Sequence, residues 1–197
     1  MSNDAYAPPA AELETETLHV TIADKFYVVS PLKFFVLYIG TFGVYSLFWF
    51  YMNWRQYKIA TGEKMWPVAR AIFSIFFTHS LFAEVVEELR LKEIKYEWAA
   101  STWATVYVLL SLVSHIIDRI AAEQTSYTIA DAVVLACAPV ILLSIYRAQK
   151  AINISQGDPK GASNSRFTIY NFIWLFLSIS IVIYAIAEMS GLWNEYI

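Results

Sequence analysis

The sequence predicts an all-α integral membrane protein, and three observations carry that reading. Hydrophobic residues make up 58% of the 197 and charged residues only 16%, against about 25% charged in ordinary soluble domains. The apolar residues fall in long blocks rather than short alternating runs, which favours helices over a β-barrel. Three of those blocks, 99–117, 129–146 and 169–187, are long enough to cross a hydrocarbon core of about 30 Å at 1.5 Å per residue.

Taken in order, residues 1–25 read as a flexible acidic leader and 26–197 as one helical membrane domain. Met1 to Asp24 holds five acidic residues and no Lys or Arg; a secretory signal needs a basic start. Ser30-Pro31 is a helix start, with Ser as N-cap and Pro at the first position. The first hydrophobic block, 34–51, spans roughly 27 Å as a helix. Gly40 and Gly43 in its middle could instead break it into a re-entrant hairpin. Phe48, Trp49, Phe50, Tyr51 and Trp54 beside Arg55 and Lys58 read as an interfacial aromatic belt.

A helix over 67–90 begins at Pro67. It gathers Arg70, Ser74, Thr78, Glu84 and Glu88 on one side against Ile72, Ile75, Phe82, Val85 and Val86. Phe73, Phe77 and Leu81 intrude on the polar side, so this amphipathic helix lies in the interface or is partly inserted. Residues 87–97 then read as a charged, helical, solvent-facing stretch. Thr128 and Asp131 resemble a capping box before the fourth block, and Pro139 predicts a kink within it. The run Gln156-Gly157-Asp158-Pro159-Lys160-Gly161 is a turn.

The expected fold is thus about four transmembrane helices plus the amphipathic 67–90 helix. Five spans, or a re-entrant first segment, are the alternatives. Positive charge favours the cytoplasmic side in short loops. The basic loop 147–167 is therefore expected inside and the C-terminus outside, in the periplasm. Arg119 then falls outside, and Arg90, Lys92 and Lys95 inside. The side occupied by the N-terminus stays open, because Arg55, Lys58, Lys64 and Arg70 oppose a simple pair of spans.

Several motifs occur together: Phe26-Tyr27-Val28-Val29-Ser30, Lys33-Phe34, Thr41-x-Gly43-x-Tyr45, Trp49-Phe50-Tyr51-x-Asn53-Trp54 and Pro67-x-x-Arg70-Ala71-x-Phe73. With Asn164-Ser165-x-Phe167-Thr168-x-x-Asn171-x-x-Trp174 and the leader Tyr6-Ala7-Pro8-Pro9, they resemble a group of uncharacterised bacterial inner-membrane proteins. Members of that group carry a domain of unknown function. The resemblance implies a bacterial inner-membrane location and assigns no activity to any residue.

Ionisable groups at membrane depth are costly and therefore candidate functional residues. Arg70, His79 and Glu84 form a polar membrane cluster, although His79 and Glu84 point about 140° apart on one helix. His115, Asp118 and Arg119 share a face and suggest an interfacial ion pair. Neither set makes a metal site, and HExxH is absent. Cys137 is alone in an apolar run, so it has no intrachain disulfide partner. No catalytic motif stands out, no cofactor is expected, and the scattered basic residues argue against nucleic acid.

The leading functional expectation is a scaffold or accessory subunit of a membrane complex, with lipid, other membrane proteins or further copies of itself as partners. The alternative is a transporter or channel for an ion, small solute or lipid, since interrupted helices often build binding sites. An intramembrane enzyme would need His79, Glu84, His115 or Asp118 to converge from different helices.

Overall fold

The structure, a computed structural model, describes residues 24–121 and 129–190. These form seven α-helices: α1 Pro31–Gly40, α2 Tyr45–Thr61, α3 Pro67–Ile72, α4 Ser74–Leu91, α5 Ala100–Ala121, α6 Ile129–Ser155 and α7 Ile169–Met189. A 3-10 turn covers Ala162–Asn164 between the last two. The acidic leader and the Thr128 cap expected for α6 lie outside the described residues.

Three helices are long and apolar enough to cross a membrane: α5, α6 and α7. They match the three blocks read from sequence. In α6, however, the helix runs nine residues beyond the apolar block, through Pro139, to Ser155. That extension is largely buried rather than lipid-like, with Ala148, Gln149, Ala151, Ile152 and Asn153 each at most 1% exposed. α5 and α6 pack closely against each other, and α4 packs on both. Among the helices, α7 touches only α1.

The 34–51 block does not form one continuous helix. It is two helices, because α1 stops at Gly40 and the chain turns through 41–44. Phe42 (φ 51°) and Gly43 (φ 85°) take left-handed conformations there. Gly43 N–H donates to the Tyr38 carbonyl (2.9 Å) and Phe42 N–H to the Ile39 carbonyl (3.0 Å), closing the helix end as a Schellman motif. The interruption that the two glycines allowed is the geometry that forms.

The aromatic belt also needs correcting. Trp49, Phe50 and Trp54 are completely buried. The buried positions of α2 are Tyr45, Trp49, Phe50, Asn53, Trp54 and Tyr57, a helical stripe of 3.6-residue period that faces protein. Phe48, on another face, is 43% exposed and keeps the interfacial character.

The 67–90 helix is likewise divided, with α3 ending at Ile72 and Phe73 (ψ 37°) leaving helical geometry before α4 begins. Its expected continuation through residue 97 does not form. α4 ends at Leu91 because Glu93 (φ 55°) is left-handed and Ile94 N–H reaches back to the Leu89 carbonyl, a second Schellman closure. Glu88, expected in solvent, is buried at 7% exposure.

Both interruptions lie at similar depth along the long helices. Gly40 abuts Leu175, six residues into α7, or roughly 9 Å at 1.5 Å per residue. Ser74 Oγ is 3.2 Å from the Tyr107 hydroxyl, seven residues into α5, or roughly 10 Å.

An extended segment, residues 25–30, is threaded through this half of the molecule, with Phe26 and Val29 fully buried. No strand pairs with it among the described residues; side-chain amides take that role. Asn53 Oδ1 accepts from Tyr27 N–H (3.1 Å), and Gln149 Nε2 donates to the Tyr27 carbonyl (3.0 Å). Asn153 accepts from Val29 N–H (3.3 Å) and donates to its carbonyl (2.9 Å), while Asn164 donates to the Val28 carbonyl (2.9 Å). Trp49 Nε1 in turn donates to Gln149. The network meets the demand that buried backbone polar groups be bonded.

Candidate functional site

A cavity of about 800 Å³ opens between α1, α2, α3 and the first turns of α7. Binding pockets for small molecules usually fall between about 300 and 1,000 Å³. Its walls are mainly apolar: Leu37 from α1, Val44 from the turn, Leu47, Phe48 and Met52 from α2, Val68 and Ile72 from α3, Trp174 from α7. The local sequence explains this shape. The Gly40–Val44 turn folds α2 back beside α1, and the break at Phe73 keeps α3 short enough to close one wall.

Polar groups collect where α1 and α7 begin: Lys33, Asn164, Thr168 and Asn171. Lys33 is only 2% exposed. Its ammonium donates to Asn164 Oδ1 (2.6 Å) and to the Arg166 carbonyl (2.7 Å). Both acceptors are neutral, and no ion pair involves Lys33 among the described residues. Burial lowers its pKa from the usual 10.5, since desolvation disfavours the charged form. Ser30 caps α1 and accepts from Lys33 N–H, as Ser30-Pro31 predicted. That cap fixes the helical turn from which the lysine projects.

Two further features mark the cavity. The Tyr45 hydroxyl is buried without a hydrogen-bond partner among the described residues. Asn171 accepts from Thr168 N–H (2.9 Å) through its oxygen, which commits the carbonyl side of the amide and leaves its NH₂ as donor. The described lining contains no carboxylate, imidazole or thiol. These walls can hold an amphiphile; they supply no general acid–base pair or metal-ligand set.

The residues singled out from sequence do not line this cavity, and Arg70, His79 and Glu84 each make contacts of their own. Arg70 stacks over Trp54 (4.3 Å to the ring centroid) and Phe77 (5.2 Å). His79 Nε2 lies 3.1 Å from Thr105 Oγ1. Glu84 faces the Tyr57 hydroxyl, whose pKa burial raises, with help from Glu84 and Glu63. In the second set, His115 Nδ1 bonds the Ser111 carbonyl of its own helix (2.7 Å). No ion pair joins His115, Asp118 and Arg119 among the described residues, because that bond ties the imidazole to the preceding turn. Among the described residues, no three or more His, Cys, Asp or Glu are grouped to hold a metal.

The sequence alone assigns no role to Lys33, Gln149 and Asn153. A signal existed for two of them: Gln149 and Asn153 are four apart and present neutral amides on one helix face. Lys33 carries no such local signal, since its partners arrive from 131 and 133 positions away. No protein-family model, curated protein or solved structure matches the chain.

Proposed function

We propose that this chain is a lipid-binding protein of the bacterial inner membrane, with three spans and an N-terminal half seated in one leaflet. The observation that carries the binding reading is the cavity: about 800 Å³, with apolar walls and a polar end. Of the functions a small membrane protein can serve, holding an amphiphile is the one these walls support best.

The membrane arrangement is supported by charge and by the depth of the turns. Of the 14 Lys and Arg residues, Arg119 sits in the last turn of α5, whereas Lys33 and Arg147 make their contacts at the end of the bundle where α5 and α7 begin and α6 ends. Lys25 pairs there with Glu88, and Lys92 donates to the Ser155 carbonyl. With that end cytoplasmic, positive charge follows the usual bias. The acidic leader need not cross, and the C-terminus is periplasmic. Exposed apolar residues at the two turns, Phe42 (65%), Val44 (58%), Phe73 (56%) and Phe76 (78%), suit immersion of about 5–10 Å. The 34–51 and 67–90 segments are then two shallow re-entrant hairpins.

Native mass spectrometry of the full chain released from nanodiscs tests the binding reading. One retained lipid per chain is expected, lost when Ile72→Trp fills the cavity. Equal retention by both proteins would reduce the cavity to a surface groove wetted by bulk lipid.

A scaffold reading keeps one specific support. α7 is a 20-residue apolar stretch with none of its window buried within the chain, so neighbouring proteins could pack along it. Disulfide cross-linking through single cysteines along α7, in membranes, separates such a partner face from one that meets only lipid.

A further inference from the structure

The cavity's polar end has a chemistry of its own. Building on the lipid-binding reading, we infer that the site selects anionic phospholipids, the headgroup phosphate resting against Lys33 and an acyl chain along Leu37, Phe48, Ile72 and Trp174.

Charge is the first support. Lys33 is buried, and its ammonium is held by two neutral oxygens, Asn164 Oδ1 and the Arg166 carbonyl. An ammonium has three N–H donors, so one remains for a ligand. Neither Asp nor Glu appears in the described lining, and a buried cation calls for a counter-anion. Burial lowers the Lys33 pKa, a penalty that a bound anion relieves.

The donors around it agree in sign. The Asn171 NH₂ and the unpartnered Tyr45 hydroxyl line the same space. The first turn of α7 adds the positive end of a helix dipole. Arg166 is exposed on the loop leading into it. A neutral amphiphile would leave this set without a charge to meet.

Depth is the second support, and it distinguishes a phospholipid from a soluble anion. Lys33, Asn164 and Thr168 lie at the start of α1 and α7, while the apolar lining continues toward Trp174 and Val44. That order, charge at the surface and hydrocarbon beneath, is the order of a phospholipid in its own leaflet. Basic pockets between membrane helices on the cytoplasmic side hold anionic headgroups in this manner. A free phosphate would use only the top of the site. Lysine also suits phosphate as a point charge.

The test compares dioleoyl phosphatidylglycerol with dioleoyl phosphatidylcholine, which share acyl chains and differ in net charge. Full-length protein is reconstituted in mixed nanodiscs, and retained lipid is read by native mass spectrometry. The wild type is expected to retain phosphatidylglycerol in preference by about fivefold or more. Lys33→Met should bring the two lipids to parity while still retaining lipid, and Lys33→Arg should keep the preference. A thermal melt of each variant checks that the fold is intact.

Parity in the wild type, or an undiminished preference in Lys33→Met, would overturn the headgroup assignment and leave lipid binding standing. Oleate displacing phosphatidylglycerol at equal concentration would also overturn it, reassigning the site to carboxylates. Retention of neither lipid by the wild type would instead remove lipid binding itself, and the selectivity with it.

Discussion

Gly161 shows how little freedom single residues have here. A Cβ at that position would lie 2.4 Å from the Val29 carbonyl carbon and oxygen and 2.5 Å from Ser30 N, on a backbone at φ +62°. Neither the rigid backbone nor the left-handed angle can yield. Gly161→Ala is expected to cost at least about 2 kcal/mol, read as a lowered melting point in detergent. Asn153 presents the polar counterpart. Its amide serves Val29 twice and Gln149 once. Asn153→Ala leaves buried groups unbonded at about 1–3 kcal/mol each, so denaturation should shift further than for an exposed Asn→Ala change. Glu88 adds a pH dependence. Burial pushes its pKa up, but hydrogen bonds and charges from Lys92 and Lys25 outweigh that and hold it below 4.5. A depressed carboxyl stabilises the fold above its unfolded pKa and loses that contribution as pH falls through the folded value. The wild type should therefore lose stability below about pH 4.5 more steeply than Glu88→Gln in parallel melts. These roles are only partly legible in the sequence: Glu88–Lys92 and Gln149–Asn153 are four apart, but Lys25 and Val29 reach them from distant positions.

At the scale of elements, legibility followed hydrophobic length. α5, α6 and α7 carry apolar runs that no soluble helix needs, and they were read with nearly correct starts. The Ser30-Pro31 and Pro67 helix starts were read for a local reason, N-terminal preference. Helix ends were harder. Phe42 and Glu93 occupy left-handed positions usually given to Gly, so composition gave no warning of the stops they make. Gly43 offered the better clue, and its substitution is informative. A Cβ there meets only the Tyr38 phenol at ordinary contact distance, with φ at +85°. Gly43→Ala should thus cost about 1–2 kcal/mol from the backbone angle alone, less than Gly161→Ala. Matching losses at the two glycines in the same melt would mean that tertiary crowding is absent at Gly161. The buried stripe of α2 was misread for a different reason: Trp and Tyr serve both core and interface, and periodicity alone assigns no partner to a face.

For the whole molecule, the sequence-based choice of four spans turned on whether residues 34–51 form one helix. They do not, and the consequence for topology can be measured. With Cys137 replaced by Ala, single cysteines at Lys64, Ser163 and Asp118 should report two faces. Lys64→Cys and Ser163→Cys should react with an impermeant maleimide from the cytoplasmic side, and Asp118→Cys from the other. Opposite labelling of positions 64 and 163 would restore a crossing segment before Lys64 and refute the re-entrant arrangement. The charge pattern held the necessary information, since the basic residues of 55–70 fitted no scheme in which that region was translocated. Hydrophobic length pointed the other way. Length measures what a segment could do, whereas the left-handed turn at Phe42 and Gly43 breaks the helix.

The amide-laced segment at residues 25–30 also sets a timetable for synthesis. Apart from Asn53, its amide partners Gln149, Asn153 and Asn164 are 122 to 136 positions downstream, so it leaves the ribosome long before most of its partners exist. Such distant closures are slow and leave apolar chain uncovered in the interval. Phe26 and Val29 must therefore wait, shielded by lipid or a chaperone, until α6 has inserted and the following loop has emerged. A nascent chain halted at residue 148 should present Phe26 to protease, and one released beyond Asn164 should protect it. The amino-terminal end is made first and locked last.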